Sequence, residues 1–193
     1  ANGVSLLALD YRGFGASEGS AVMPSVLQDI EAAAAWLRQK YPDKRLVVLG
    51  QSIGAALAID FTAAAQDRYR IAALFTEAPF LGFPAVARAA LSDNLLGWLV
   101  WPFTVLVPSR WDPQNVVGDI HIPVMIMSSP DDDVVPYQHG QKLYEILTQR
   151  SGSEPACWVE SHGPHIASFT DEALRQKALQ FILSGRCPPF TVP

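Results

Sequence analysis

Short, uninterrupted apolar runs recur along the chain, each bounded by turn-forming residues: Val4 to Leu9, Leu46-Val47-Val48-Leu49, Val124-Met125-Ile126-Met127 and Ala156-Cys157-Trp158-Val159. Runs of that length, flanked by Gly, Pro and Asp, read as strands buried on both faces. Longer stretches between them read as helices. The pattern predicts strand 4–9, helix 24–40, strand 45–50, helix 53–66, strand 71–77, strand 123–129, helix 137–149, strand 155–160 and helix 169–184. Pro24 suits the first turn of its helix. Strands alternating with helices imply an α/β fold, a mainly parallel sheet with helices on both faces.

Composition narrows the function classes. The 193 residues fit one domain, 1–193, and 49% of them are apolar, which excludes a disordered chain. A net charge of −5 argues against nucleic acid as a partner. No Cys/His cluster has zinc spacing, so no metal and no cofactor is expected. The two cysteines, Cys157 and Cys187, are expected to be free thiols, because neither lies beside an activating base. The expected location is the cytoplasm.

The chemistry concentrates in Gly50-Gln51-Ser52-Ile53-Gly54, which follows an apolar run and precedes the helix-forming Ala55-Ala56-Leu57-Ala58-Ile59. Strand, tight turn, helix with a serine at the tip is the setting of a nucleophile elbow. Such a turn forces the serine into a strained conformation, and Gly50 and Gly54 are expected to supply the room. A serine hydroxyl needs a base, and the base an orienting acid. Asp131-Asp132-Asp133 follows the run ending at Met127, and Ser161-His162-Gly163-Pro164-His165 follows the run ending at Val159. Both therefore lie just past strand ends, where open α/β sheets place their sites. His121 falls in a strand-entry loop and His139 on an exposed helix turn after Pro136.

With these motifs the chain resembles the α/β-hydrolases, in particular their Bem46-like and serine-aminopeptidase-like branch. Asp10-Tyr11-Arg12-Gly13-Phe14-Gly15-Ala16-Ser17-Glu18-Gly19 resembles that branch's strand-end loop, Gly50 to Gly54 its elbow, and Asp132-Asp133-Val134-Val135-Pro136 its acid motif, in the right order along the chain. The resemblance implies Ser52 as nucleophile, Asp132 as orienting acid, with Asp133 the alternative, and His165 as base in preference to His162. Asp131 and Asp133 are then expected to cap the next helix or face water. The N–H of Ile53 would be one oxyanion donor, and Gln51 is its neighbour across the nucleophile. Residues 79–113 occupy the place of the family's cap, and Trp98, Trp101 and Phe103 there suggest an acyl pocket. Plain core packing and an interfacial membrane contact are the other readings of that run.

The resemblance also implies an N-terminal truncation. In the family three strands and a loop carrying the second oxyanion donor precede the strand matched by Val4 to Leu9. That strand must then either pair directly with Leu46–Leu49 or leave a gap. The function implied is a serine hydrolase acting on a small-molecule carboxylic ester or thioester. A serine peptidase of the same fold is one alternative. A non-catalytic binding module is the other, because fold does not dictate function.

Overall fold

The computed structural model describes residues 3–84, 109–150, 152 and 154–189. The expected cap, 79–113, falls mostly on 85–108, so Trp98, Trp101 and Phe103 lie outside the described residues. In chain order the main elements are α1 (Ser25–Lys40), β1 (Leu46–Gln51), α2 (Ile53–Ala65), β2 (Ile71–Glu77), a short α3 (Pro113–Val116), β3 (Val124–Ser128), α4 (Tyr137–Thr148), β4 (Ala156–Glu160) and α5 (Glu172–Ser184). The four strands form one sheet in the order β1-β2-β3-β4, every neighbouring pair parallel.

The apolar runs are continuous because both faces of the sheet are covered. Alternate residues of each strand face opposite ways. Leu74, Val124 and Ile126 pack with Ala58 and Ile59 of α2 and Leu143 and Leu147 of α4. Phe75, Met125, Met127 and Val159 point the other way, onto Leu174, Ala178 and Phe181 of α5. Helix α1 packs beside α2 through Ala34 against Phe61, Ala65 and Ile71. Helix α5 begins at Glu172 and not near 169, because Asp171 accepts the Leu174 N–H and caps it, while Ser168–Thr170 forms a separate 3₁₀ turn.

Two expectations are overturned. Cys157 and Cys187 are not free thiols but a disulfide, with Cα atoms 5.2 Å apart, joining β4 to the segment after α5. Packing α5 across the sheet carries its C-terminal end back over β4, which is what brings the two sulfurs together. Residues 4–9 form no strand and do not pair with β1. Val4, Leu6, Leu7 and Leu9 are exposed, Leu6 at 81%. The loop that follows is tied to α1 instead: the Arg12 guanidinium and main-chain N–H both donate to the Asp29 carboxylate, at 2.9 and 3.0 Å. That pair draws the Asp29 carboxyl below its usual range. Among the described residues the outer edge of β1 is therefore open, and Leu49 beside it is exposed.

Candidate active site

The site lies at the carboxyl ends of the strands. Ser52 follows β1 directly and sits at φ 54°, ψ −121°, a region that non-glycine residues enter only under constraint. The surroundings show which glycine the turn requires. A Cβ on Gly50 would lie 2.3 Å from the Gly54 carbonyl oxygen and 2.7 Å from the Ala55 Cα. Among the described residues a Cβ on Gly54 would meet nothing nearer than the Tyr11 hydroxyl, at 3.8 Å. Close approach among these residues therefore demands Gly50 and not Gly54.

The Ser52 hydroxyl reaches His165 Nε2 at 2.8 Å, and His165 Nδ1 reaches Asp132 Oδ2 at 2.8 Å. The imidazole side chain is 17% exposed and the Asp132 carboxylate 3%. The other Asp132 oxygen accepts the main-chain N–H groups of Val134 and Val135, each at 2.9 Å. With both oxygens engaged, the carboxylate cannot rotate away from the ring. The Ile53 N–H stands at the first position of α2, where a helix leaves its amides without intrahelical partners.

The neighbouring candidates take other roles. Asp133 is exposed. Asp131 neither caps a helix nor merely faces water: it accepts the Gly163 N–H at 3.0 Å, while Ser129 Oγ donates to the Gly163 carbonyl at 2.7 Å. These two bonds hold the turn that carries His165. His162 points outward, 3.4 Å from Asp171. His121 meets Asp67 at the surface, at 2.9 Å. His139 is half-buried, not exposed, and burial lowers its basicity.

Sequence reasoning passed over Glu77. This carboxylate is 2% exposed and ends β2 beside Gln51. Its sequence signal was an acid closing an otherwise apolar strand. Separately, a cavity of about 470 Å³ opens between α1 and α2, lined by Gln28, Glu31, Asp60, Arg68 and Trp111. Burial there, with Asp112 nearby, pushes the Asp60 carboxyl up to about 6.

Residues 1–115 match the sequence profile of the serine aminopeptidase S33 family. The chain belongs to this family. It is 28% identical over 191 residues to the uncharacterised protein YfhR of Escherichia coli K12, covering 95% of this chain and 62% of that protein. It is 30% identical over 154 residues to the lysophosphatidylserine lipase ABHD12 of Danio rerio, covering 76% of this chain and 40% of the relative. The chain thus spans less than two-thirds of the length of each of these relatives. The Pyrococcus furiosus esterase Pf2001 has the same fold, with a TM-score of 0.71 at 22% identity over 95% of this chain and 69% of that one. The chain thus has the α/β-hydrolase fold.

Proposed function

We propose that the protein cleaves a carboxylic ester or thioester through an acyl-enzyme on Ser52. The observation that carries this reading is the continuous relay from Ser52 Oγ through His165 to Asp132, with both contacts at 2.8 Å. His165 Nε2 takes the hydroxyl proton as Oγ attacks the substrate carbonyl. The oxyanion that forms faces the Ile53 N–H. Collapse of this intermediate expels the alcohol or thiol, which leaves with the proton from His165. A water then gives its proton to His165, attacks the acyl-enzyme and releases the acid. Asp132 stays ionised throughout, fixes the tautomer with hydrogen on Nδ1 and stabilises the imidazolium.

An acyl ester is favoured over a peptide by the relative named lysophosphatidylserine lipase and the fold neighbour named esterase. The family description favours the peptidase reading. A second oxyanion donor is proposed to come from outside the described residues. Among the described residues no helix is long and apolar enough to cross a membrane. The disulfide fits an oxidising compartment better than the expected cytoplasm.

The test uses the full-length protein, 4-nitrophenyl esters of two and eight carbons, and aminoacyl 4-nitroanilides. Ester turnover, fluorophosphonate labelling at Ser52 and a loss of about 10⁶ in kcat for Ser52→Ala are expected. Undiminished turnover in that variant removes Ser52 as nucleophile. Anilide turnover far above ester turnover transfers the protein to the peptidase reading.

A further inference from the structure

Three non-glycine residues around the site lie in the left-handed region: Ser52 (φ 54°), Ala78 (φ 49°) and Ile166 (φ 53°). For a β-branched isoleucine this is a true outlier, and such strain persists only where the surroundings over-determine it. One residue touches the constraint on all three. The Glu77 carbonyl accepts the Ser52 N–H at 2.9 Å. Its Oε2 accepts Gln51 Nε2–H at 2.6 Å, on the residue just before the nucleophile. Its Oε1 accepts the Ser168 N–H at 2.9 Å, in the turn just after His165 and Ile166. Ala78 is its immediate neighbour, and the Ala78 N–H donates to the Met127 carbonyl at 2.9 Å, tying the bend to β3, whose end leads to Asp132.

Burying a carboxyl group is costly unless its oxygens are bonded. Here both oxygens are used, and each reaches a different arm of the site. An apolar residue at the end of β2 would fill the same core without that cost. The side chain does not touch the reacting atoms of the relay. Its contribution is to fix the two backbones from which Ser52 and His165 project.

We propose that Glu77 is a positioning residue, whose carboxylate clamps the Ser52 elbow to the His165 turn and so sets the distance across which the proton moves. The inference rests on the reading of Ser52 as nucleophile and His165 as base. Misplacing reacting groups by about 1 Å costs on the order of 10²-fold in rate. The clamp is a matter of donors and acceptors, so its chemistry can be exchanged between partners. In Glu77→Gln the new amide oxygen still accepts from Ser168, and Gln51 turns its amide to present oxygen to the new N–H. Gln51→Glu instead places two carboxylates face to face. Combining Gln51→Glu with Glu77→Gln restores one amide against one carboxylate.

The experiment measures kcat, KM, fluorophosphonate labelling rate and melting temperature for Glu77→Leu, Glu77→Gln, Gln51→Glu and the double variant in the full-length protein, beside Ser52→Ala. Glu77→Leu is expected to lose about 10²-fold in kcat and in labelling rate with KM unchanged. Glu77→Gln is expected within about fivefold of the parent, and the double variant to recover at least tenfold over Gln51→Glu. If Glu77→Leu fails to fold, the last two comparisons still decide. A double variant no better than Gln51→Glu, or a folded Glu77→Leu at parental kcat, overturns the clamp. Parental turnover in Ser52→Ala overturns the proposed function itself, and so separates the two failures.

Discussion

The β3–β4 side of the sheet and the β1 side are finished differently. On β3 and β4, α5 covers one face with Leu174, Ala178 and Phe181, α4 packs on the other through Leu143 and Leu147, and a disulfide fastens the segment after α5 back to β4. On β1 the outer edge has no partner among the described residues, Leu49 is exposed, and the apolar segment 4–9 forms no strand. The acid and the histidine hang on the finished side. Ser52 follows β1 directly but is held by bonds reaching it from β2 and from the histidine turn. The Ser52–His165–Asp132 contacts are thus anchored mainly from the finished side, while the serine itself stands beside the unfinished one.

The comparison is sharpened most by unfastening the finished side. Cys187→Ser should lower stability by about 3–4 kcal/mol, the chain-entropy value for a closed loop spanning 30 residues. At this size that is a drop of roughly 10 °C in melting temperature. Reduction with a strong thiol should give the same shift in the parent and none in the variant. No shift in either would mean that α5 holds the β4 side through its apolar contacts alone.

A smaller effect is expected in the helix layer behind β1. The Asp60 carboxyl titrates at about 6 in the folded chain, raised by burial and then by Asp112, against an unfolded value near 3.8. Between about pH 4 and pH 6 the unfolded chain has released this proton and the folded chain retains it. Stability from this group therefore falls as pH rises through that window and is flat above it. Asp60→Asn should remove the loss, leaving the variant more stable than the parent at pH 7.5 by up to about 2 kcal/mol and no more stable at pH 4. The difference between paired melting curves at the two pH values checks the sign.

The smallest effect tests the open edge. Leu6→Lys should change the stability of this chain by less than about 0.5 kcal/mol, since the side chain touches little. Paired melting curves check this, and a loss of about 2 kcal/mol or more would mean that residues 4–9 are covered.

What could be read from the chain follows from what each residue needs. The strands of the sheet and their helices were legible because double burial writes continuous apolar runs. Strand ends marked Ser52, the Asp131–Asp133 cluster and the turn holding His162 and His165, whereas the choice of Asp132 and His165 within them came from the family resemblance. Residues 4–9 looked like a strand for the same reason, since an apolar run is identical whether or not a neighbour exists to pair with it. The pairing of Cys157 with Cys187 depends on where α5 lands, which no spacing encodes. The role of Asp131 was misread and Glu77 was passed over because their partners are main-chain N–H groups and an amide far along the sequence, and such contacts leave no motif.

The Ser52 to His165 contact closes a stretch of 113 residues, and the His165 to Asp132 contact one of 33. Closing so long a segment costs entropy that is recovered only when the strands between are already paired. A chain emerging from synthesis consequently carries an inert alcohol at position 52 until residue 165 has been made and the sheet has formed. On the proposed function, reactivity arrives with the completed fold, and an unfinished copy lacks the contacts with which to acylate itself.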